Sequence, residues 1–560
     1  MSSVIRRYTY QVVNKGKLLS QSRQQSTEAN ILKSIHKDVD ITYQTVKDFA
    51  WQNLDRWPDK TLTVCAATGH GYTYAQTYKM SISFGASLRS KLNLQNDDKV
   101  AIILPNLPEY PCVVLGILEA GCVASTMNPA YTSHELKQQL ELIDCKAIVS
   151  SKLSYENIKL ALKEMKSNIP IILVDNDVPN GTIKFAEFAE DFNINTDCLK
   201  SVNRSGNDIA ILPFSSGTTG FPKGVALTHR SVIAFNEMVF VPGILGVQET
   251  SGSYQSVIPA VLPFFHIFGF NALMLNLMGR GVKLVTMPSF KPDLFLESLI
   301  KFKANHLYVV PPMAMFLGKH PAVTPKHLET IEGIICGAAA VSGNDVKGIL
   351  QKNPKIIFRQ GYGLTETNGG LAIGNNDDTN HASVGHIFPS GEVKIANLET
   401  SEAMGPGEEG EIWYRGPNVM SGYYKNEEAT KEVLEDGWYK TGDIGKYDEN
   451  KYLYITDRLK ELIKVKGFQV PPAELEMLIR NHPKVQDCAV LGIPDPVTGE
   501  VPKAFVVSQP GTEIKSEEIL EFVNTQVISF KKIKEVQFVD VIPKNPSGKI
   551  LRRQLKEKYC

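Results

Sequence analysis

The sequence has no pair of cysteines separated by two residues, although it contains eight cysteines among 560 residues. A CxxC pair is the usual signature of a zinc knuckle or a thioredoxin-type redox centre, so the sequence supports neither class of site. Cys112 and Cys122 lie in apolar runs, where a free cysteine behaves as a small hydrophobic residue. We therefore expect a reducing compartment and thiols without a catalytic role.

There is no excess of charge of either sign, because 60 lysines and arginines balance 60 aspartates and glutamates. The chain thus lacks both the basic footprint of a nucleic-acid-binding protein and an acidic tail. A hydrophobic fraction of 43% and a charged fraction of 21% are typical of a globular protein. A chain of 560 residues is too long for a single core, so we expect two or more domains.

No uninterrupted hydrophobic run is long enough for a membrane span. The most apolar stretch, residues 257–279, contains two prolines, one histidine and two asparagines. A lipid-exposed helix needs about 20 mostly apolar residues with its backbone hydrogen bonds intact. We therefore predict that this stretch is a buried strand and helix of a large domain, and we expect no membrane-spanning segment.

The N-terminus lacks acidic residues before Glu28 but contains three arginines, two lysines and several serines. This composition is typical of an organellar transit peptide, and a disordered cytosolic tail is the alternative. We predict an N-terminal extension over residues 1–38 and a mitochondrial location, with a cytoplasmic location as the alternative. The chain ends in KEKYC, which is not an SKL-type peroxisomal signal.

Helical and strand patterns alternate from about residue 40. The short apolar runs at 100–104, 147–150 and 171–174 predict buried strands. Between them, residues 133–143 have leucine and isoleucine at helical spacing behind a serine, which predicts a helix. Such alternation is typical of an α/β sheet.

The pattern changes at about residue 385. Residues 385–448 are rich in glycine, proline and β-forming residues, which predicts a small β-barrel-like subdomain. A charged segment at 457–461 follows as a candidate hinge, and a last unit of about 100 residues has its own strand and helix pattern. We therefore predict an α/β multidomain protein with an N-terminal domain over 39–456 and a small, mobile α+β domain over 457–560.

The most distinctive local pattern is SSGTTGFPKGV at residues 215–225, which follows an apolar strand at 209–214. Its glycines let backbone N–H groups approach phosphate oxygens, its hydroxyls add donors, and Lys223 adds charge. The loop lacks the GxxxxGK[ST] spacing of a Walker A motif. Taken alone, it is equally compatible with a flexible surface turn.

This loop resembles the phosphate loop of the adenylate-forming enzymes, which include acyl-CoA synthetases, 4-coumarate–CoA ligases, firefly luciferases and the adenylation domains of peptide synthetases. Other segments resemble further motifs of that superfamily in the same order: NPAYT at 128–132, LPFFHIF (the acyl-pocket strand) at 262–268, QGYGLTET at 360–367, YKTGD at 439–443, DRLKELIKVKGFQ at 457–469 and PSGK at 546–549. The set spans nearly the whole chain beyond residue 40. The resemblance is closest to the 4-coumarate–CoA ligase branch.

The resemblance implies an acid–CoA ligase that uses ATP, Mg²⁺ and CoA. The enzyme would adenylate a carboxylic acid, release pyrophosphate and pass the acyl group to CoA, which is mostly a matter of positioning and charge neutralisation. The alternatives are a medium-chain fatty acid as substrate, a luciferase-like monooxygenase and a non-catalytic binding protein on this fold. Loss of Lys549, Glu366 or Asp443 would have indicated the last of these, and all three are present.

The resemblance also implies a role for individual residues. Those that would bind ATP or AMP are Ser215, Ser216, Gly217, Thr218, Thr219, Gly220, Lys223, Ala338, Gln360, Gly361, Tyr362, Thr365, Asp443, Arg458, Lys460, Lys464 and Gln469. Those that would line the acyl pocket are His266, Phe268, Ala338, Gly361, Gly363 and Gly369, and those in the CoA tunnel are Lys466 and Gly467. Glu366 would hold Mg²⁺. Lys549 and His266 would act at the reacting carboxylate.

Three positions depart from the pattern of the plant coumarate ligases. Phe268 stands where they usually have tyrosine, and Gly369 replaces a proline that shapes the acyl pocket, so a longer or bulkier acid would fit. Ser289 stands where many relatives have a basic residue that contacts CoA. The sequence therefore leaves the acid open between aryl and medium-chain acids.

Overall fold

The computed structural model describes residues 30–215, 222–339, 341, 343–465, 468–496, 498–527, 529–545 and 548–559. Most of the predicted transit peptide therefore lies outside the described residues. So do these predicted site residues: Ser216, Gly217, Thr218, Thr219, Gly220, Lys466, Gly467 and the side chain of Gln469. Their predicted roles stay predictions.

The strands follow one another along the whole described chain. In chain order they are β1 (Ile31–Lys33), β2 (Thr61–Cys65), β3 (Gly71–Thr73), β4 (Lys99–Ile103), β5 (Val123–Thr126), β6 (Cys145–Ser150), β7 (Ile171–Leu173), β8 (Ile183–Lys184), β9 (Ile209–Ile211), β10 (Phe214–Ser215), β11 (Lys223–Thr228), β12 (Val257–Ala260), β13 (Lys283–Thr286), β14 (His306–Val309), β15 (Gly333–Cys336), β16 (Ile357–Tyr362), β17 (Ala372–Ile373), β18 (His386–Ile387), β19 (Glu392–Ala396), β20 (Gly410–Arg415), β21 (Gly422–Tyr423), β22 (Leu434–Glu435), β23 (Trp438–Tyr447), β24 (Leu453–Arg458), β25 (Ile463–Val465), β26 (Phe468–Val470), β27 (Val485–Asp495), β28 (Gly499–Ser508) and β29 (Glu535–Phe538).

The α-helices lie between these strands. They are Val46–Trp51, Tyr74–Leu92, Tyr110–Glu119, Ser133–Ile143, Lys152–Met165, Ala186–Ala189, His229–Val239, Asn276–Met278, Pro292–Lys301, Pro311–Lys319, Gly343–Lys352, Glu427–Val433, Pro472–Arg480, Ser516–Asn524 and Arg552–Tyr559. A π-helix, Phe268–Leu275, runs directly into Asn276–Met278. None of the described helices is both long and apolar enough to cross a bilayer.

The strands and the helix predicted from local patterns are confirmed. The apolar runs form β4, β6 and β7, which are neighbours in one parallel arrangement. The helix Ser133–Ile143 begins behind Thr132, whose side chain accepts from the backbone N–H of Glu135 while the Glu135 side chain accepts from that of Thr132. This reciprocal capping box satisfies two N–H groups that the first helical turn leaves free. The stretch 257–279 is the predicted buried strand and helix.

Three sheets form the core of the N-terminal domain. Their strand orders are β10-β11-β9-β5-β4-β6-β7-β8 with β21 beside β11, β12-β13-β2-β3, and β14-β15-β16-β17-β18. The third sheet is parallel from β14 to β16, so the carboxyl ends of these strands, at Val309, Cys336 and Tyr362, lie at one edge. Ligands of parallel α/β sheets bind at this edge.

Residues 262–268 are not the strand that the sequence predicted. Strand β12 ends at Ala260, and the following segment turns before the π-helix begins at Phe268. Pro263 has no N–H to continue a strand ladder. The buried Asn106 instead holds the segment, because its amide donates to the carbonyls of Ala260 and Leu262 at 2.8 and 2.7 Å and accepts from the Phe264 N–H at 2.8 Å.

The predicted β subdomain is a six-stranded antiparallel sheet of order β1-β19-β20-β23-β22, with β24 beside β23. Its edge strand β1 pairs Ile31 with Lys394. The fold therefore begins before residue 38, where the sequence placed the end of the N-terminal extension. Residues 31–33 comprise only two apolar residues and a lysine, which is too little for a strand prediction without the partner strand.

The C-terminal domain has its own five-stranded sheet, β26-β25-β28-β27 with β29 beside β28, and its own buried cluster around Val490 and Val506. The predicted hinge at 457–461 begins with the last two residues of β24. At its start Asp457 accepts a hydrogen bond from the backbone N–H of Ala473, at 2.8 Å, in the first turn of the helix Pro472–Arg480. Burial raises the pKa of Asp457 to about 7, although the charge of Arg552 lowers it.

The described cysteines are all free thiols, and six of these seven are buried. Burial raises the pKa of Cys122 to about 12, so this thiol stays protonated at neutral pH. Cys112, in the helix Tyr110–Glu119, is fully buried in the apolar core. These two cysteines therefore pack as the small hydrophobic residues that the sequence predicted.

Candidate active site

Lys549 stands on a tight turn by which the C-terminal domain contacts the N-terminal domain. Asn545 closes the turn: its Oδ1 accepts from the Lys549 backbone N–H at 2.9 Å, and its own N–H donates to the Lys549 carbonyl at 2.9 Å. Gly548 has a φ of +80°, and a Cβ there would lie 3.1 Å from Cδ of Pro312. Glycine is therefore required, and it brings Lys549 to the carboxyl end of β14.

Four charged residues influence the side chain of Lys549 electrostatically. Burial lowers its pKa from 10.5 to about 8, and the positive charge of Arg458 lowers it further, while Glu461, Asp443 and Glu366 act in the opposite direction. The ammonium group thus shares one site with the residues predicted to bind the nucleotide and the metal. A buried cation in this place can stabilise negative charge that develops during a reaction.

Asp443 and Tyr362 form the predicted ribose and adenine side of the site. Tyr362, at the end of β16, donates its hydroxyl to Oδ2 of Asp443 at 2.5 Å. The antiparallel pairing of β23 and β24 sets Asp443 opposite Arg458, whose Nε lies 3.5 Å from Oδ1. Burial raises the pKa of Asp443, and the Arg458 charge lowers it. The free acceptor capacity of this carboxylate suits a pair of hydroxyl donors.

Glu366 and Lys223 mark the phosphate end. Glu366 is buried in the turn Thr365–Thr367 and accepts a hydrogen bond from the hydroxyl of Tyr423 at 2.9 Å. The Lys223 ammonium lies 4.8 Å from the centroid of the Tyr423 ring. Ser215 faces Lys223 across the pair β10–β11, and its buried Oγ has no hydrogen-bond partner within the described residues. An unpaired buried hydroxyl beside a lysine fits a phosphate oxygen as its partner.

The donor set around Glu366 also fits Mg²⁺. No group of three or more His, Cys, Asp or Glu side chains is arranged for a metal ion among the residues that the structure describes. Mg²⁺ is commonly bound through one or two carboxylates, several waters and the phosphates of a substrate. A single buried carboxylate at the phosphate end therefore fits a Mg²⁺ ion that is shared with ATP.

The predicted nucleotide-binding residue Ala338 lies in a bend after β15. Ala338 and Ala339 are exposed there, and Ala338 has a φ of +74°, which is rare for a residue with a Cβ and typical of strained functional sites. Gln360 holds the bend, because its Oε1 accepts from the Val341 N–H at 3.1 Å and its Nε2 donates to the His381 carbonyl at 2.5 Å. Its amide is therefore engaged with the protein and positions Ala338.

The predicted acyl-pocket residues converge on one side of β15 and β16. A Cβ on Gly337 would lie 3.0 Å from the Phe268 ring and 3.6 Å from the carbonyl oxygen of Gly361. A Cβ on Gly363 would lie 2.3 Å from Cα of Gly370, so only glycine fits. The Phe268 ring therefore packs directly against Gly337 on this face of the sheet.

Gly369 has a φ of +105°, which proline cannot adopt because its ring fixes φ near −65°. The loop 364–370 therefore has a backbone that is incompatible with the proline of the plant coumarate ligases. Buried amides hold it: Asn418 donates to the carbonyls of Thr367 and Gly370 at 2.9 and 2.8 Å, and Asn271 donates to that of Asn368 at 3.0 Å. The departure seen in the sequence is thus a change of loop shape as well as of volume.

His266 lies between the acyl pocket and Lys549. Its Nδ1 accepts a long hydrogen bond from the Phe268 N–H at 3.4 Å. Burial lowers the pKa of His266 to about 4, and the charge of Lys549 lowers it further. The ring is therefore neutral at physiological pH and presents its Nε2–H as a donor, which suits an orienting role at a carboxylate.

Two predicted nucleotide ligands, Lys460 and Lys464, have exposed side chains in this arrangement. Thr365, another predicted nucleotide ligand, is buried next to Glu366. Tyr423 and Glu461 were missed by the sequence reasoning. Tyr423 reaches Glu366 because β21 pairs with β11 across nearly 200 residues of chain, and no local pattern indicates such a pairing.

Comparison with known proteins gives the family. Residues 50–424 match the family model described as AMP-binding enzyme, and residues 474–549 match the AMP-binding enzyme C-terminal domain. The chain belongs to the AMP-binding enzyme family. This member is 36% identical to 4-coumarate–CoA ligase 3 of Arabidopsis thaliana, over 95% of the chain and 94% of that protein. It is also 36% identical to the probable 4-coumarate–CoA ligase 3 of Dictyostelium discoideum, over 89% and 92% of the two chains.

Solved structures agree with this placement. ATP-bound MatB from Rhodopseudomonas palustris superimposes with a TM-score of 0.78 at 27% identity, covering 92% of this chain and 99% of that one. The Mycobacterium tuberculosis fatty acyl CoA synthetase gives 0.68 at 28% identity, with 92% and 98% covered. This AMP-binding enzyme is therefore an ATP-dependent, AMP-forming acid–CoA ligase of the branch that contains the 4-coumarate–CoA ligases, as the sequence predicted.

The lowered pKa of Lys549 predicts the pH dependence of the first half-reaction. Only the protonated lysine stabilises negative charge, and its pKa is about 8 rather than 10.5. The kcat/KM for ATP, measured by ATP–pyrophosphate exchange, should therefore decrease above about pH 8. The decrease should approach about tenfold per pH unit. Because the pKa of His266 is about 4, its titration should not change the rate between pH 6 and 9. The measurement is a pH profile of the exchange at saturating acid.

The Lys549→Arg variant is the control for this profile. A guanidinium stays protonated beyond pH 10. The residual activity of the variant, however low, should lose the fall above pH 8. Persistence of the same fall in the arginine variant would show that another group titrates.

Proposed function

We propose that the enzyme activates an aryl or medium-chain carboxylic acid, related to but not restricted to 4-coumarate, and that both half-reactions use the site described above. The observation that carries the proposal is the position of Lys549, close enough to Asp443, Glu366 and Arg458 to share their electrostatic field. Relatives named as 4-coumarate–CoA ligases support an aromatic acid. The altered loop at Gly369 supports a pocket that differs from theirs.

In the first half-reaction the acid carboxylate attacks the α-phosphate of ATP and pyrophosphate leaves. Ser215 and Lys223 bind the outer phosphates, and Glu366 holds the Mg²⁺ that neutralises them. Asp443 accepts the ribose hydroxyls. Lys549 lies against the oxygens where negative charge accumulates, and two anions can therefore approach each other in a buried site.

In the second half-reaction the thiol of CoA attacks the acyl carbon, and AMP leaves. The C-terminal domain turns about the hinge at 457–461, which withdraws Lys549 and brings the segment with Lys466 and Gly467 to the site. That turn must break contacts that the C-terminal domain makes with β24 and with the N-terminal domain. These include the bond from Ala473 to Asp457 and the bond of 3.1 Å from Asn344 to Asn481.

The test is pyrophosphate release by the purified enzyme with ATP and Mg²⁺, over aryl and aliphatic acids, with and without CoA. Acid-dependent release, with AMP and acyl-CoA formed once CoA is added, is the expected result. At least one aryl or medium-chain acid should give a kcat/KM of about 10⁴ M⁻¹s⁻¹ or more, the lower end of the usual range. Release without acyl-CoA would favour the luciferase-like reaction instead.

A further inference from the structure

The face of the third sheet that Phe268 covers continues past the predicted acyl pocket. Neighbours on adjacent parallel strands point to the same side, so Tyr308, Ile335 and Arg359 form one row across β14, β15 and β16. Gly361 lies two residues beyond Arg359 on β16, so this row is about 7 Å deeper along the face, away from the carboxyl edge. The rings of Phe268 and Tyr308 have their centroids 6.3 Å apart, so Phe268 reaches from the glycines to this row.

Arg359 is buried in this row without a carboxylate partner among the described residues. Only 2% of its surface is exposed. Its Nη1 donates to the carbonyls of Ile244 and Gly374, and its Nε–H has no partner within the same residues. Burial lowers the pKa of Arg359. A buried charge without a counter-charge is costly, and it is usually compensated by a partner of opposite charge.

The groups around Arg359 also have unused hydrogen-bonding capacity. His306 is held with its Nε2 3.1 Å from the Gly246 carbonyl, and its buried Nδ1 has no partner in the described chain. Burial lowers the pKa of His306 to about 4, and the charge of Arg359 lowers it further, so this ring is neutral and supplies no counter-charge. No hydrogen bond of the Tyr308 hydroxyl is found within the described residues, although the ring is 3% exposed.

Part of this arrangement has a structural purpose, because Arg359, Asn376 and His306 donate to the successive carbonyls of Ile244, Leu245 and Gly246. A Cβ on Gly246 would lie 2.9 Å from Asn376 Oδ1 and 3.1 Å from Arg359 Nη2. The cluster therefore fixes the loop at 244–246. Neutral donors would hold three carbonyls equally well, so fixing the loop does not account for an uncompensated positive charge.

We propose that Arg359, with the hydroxyl of Tyr308, recognises a hydrogen-bond acceptor at the end of the acid substrate remote from its reacting carboxylate. The enzyme then prefers an acid with a carboxylate or hydroxyl at that end to an acid of equal length that ends in a methyl group. The preference is strongest for the carboxylate, because bonds between charged groups are the stronger ones. This inference rests on the proposed function and adds the chemical class of the acid to it.

The test compares three acids of equal length: octanoate, ω-hydroxyoctanoate and octanedioate. Acyl-CoA formation is followed with ATP and CoA, and kcat/KM is determined for each acid. The wild-type enzyme should prefer octanedioate to octanoate by about tenfold to a hundredfold, the range of a charged hydrogen bond. The hydroxy acid should fall between the two. A wild-type enzyme that prefers octanoate would overturn the proposal without any variant.

The Arg359→Met variant separates recognition from the structural purpose. It should lose the preference for the two polar-ended acids, measured as the ratio of the kcat/KM for each of them to the kcat/KM for octanoate. An equal loss with all three acids would show that Arg359 only holds the loop. Arg230→Met, at an exposed position in the helix His229–Val239, is the matched control and should change nothing.

The Tyr308→Phe variant covers the case in which Arg359→Met does not fold. It removes one oxygen and should lower kcat/KM severalfold for the polar-ended acids alone; unchanged ratios would count against the proposal. Failure of the broader proposed function would give a different result from failure of this inference. In that case no acyl-CoA forms from any of these acids or from an aryl acid, and the three kcat/KM values cannot be compared.

Discussion

Replacing Lys549 by alanine is expected to lower the rate of acyl-adenylate formation about a thousandfold while sparing the transfer of the acyl group to CoA. The expectation follows from the position of Lys549 next to Gly548, where the C-terminal domain contacts Val310 and Pro312. In the proposed first half-reaction its buried ammonium faces the carboxylate and the α-phosphate. In the second, the proposed domain rotation has already withdrawn it.

The two half-reactions can be measured separately on one preparation of the Lys549→Ala variant. ATP–pyrophosphate exchange reports the first, and acyl-CoA formation from a supplied acyl-adenylate reports the second, which should stay within about threefold of the parent. Lys556→Ala is the control, because Lys556 is exposed on the helix Arg552–Tyr559. An equal loss in both assays would contradict a role confined to adenylation.

Replacing Asp443 by asparagine is expected to raise the KM for ATP about a hundredfold and to leave the KM for the acid nearly unchanged. The buried carboxylate accepts from Tyr362 at 2.5 Å and faces Arg458, and each charge-assisted bond that it loses to a ribose hydroxyl is worth about 1.5–3 kcal/mol. The measurement is acyl-CoA formation over a range of ATP concentrations at saturating acid and CoA.

A thermal melt distinguishes lost ATP binding from lost folding in the Asp443→Asn variant. Burial raises the pKa of Asp443 in the folded protein, so the stability that its neutral form provides is lost as the pH rises. A neutral asparagine should therefore melt no earlier than the parent at neutral pH or above. Asp436→Asn is the control, since Asp436 is exposed in a turn with a φ of +49°, which Asp and Asn both tolerate. A lower melting temperature without a change in the KM for ATP would count against the assigned role.

Local sequence patterns correctly predicted those strands and helices whose formation depends on neighbouring residues in the chain. Strands such as β4 and β6 are apolar and short, and the helix Ser133–Ile143 carries its own cap. The segment 262–268 was misassigned because it is apolar like a strand, while Pro263 and the distant Asn106 decide its shape. The partner of β1 is more than 350 residues away, so a strand before residue 38 could not be predicted from the local sequence.

The candidate site shows the same division. Asp443, Tyr362 and Glu366 were predicted as site residues because their motifs are contiguous in sequence. Their partners were not: Tyr423 reaches Glu366 only through strand pairing. The uncompensated charge of Arg359 is a property of what surrounds it in three dimensions, and the positive φ of Gly369 is a property of the loop. Neither the missing counter-charge of Arg359 nor the positive φ of Gly369 can be predicted from the sequence of residue types alone.

The bond between Asp457 and Ala473 has a consequence for the order in which substrates add. Asp457 lies at the end of β24 and caps the first turn of the helix Pro472–Arg480, so the proposed domain rotation would break this bond. A helix cap is worth about 1 kcal/mol, which alone favours this conformation about fivefold. The resting population is thereby biased toward the form with Lys549 in place, which accepts ATP and the acid. About one molecule in six is then in the form that admits CoA, so this carboxylate favours, without imposing, the binding of CoA after the adenylate has been made.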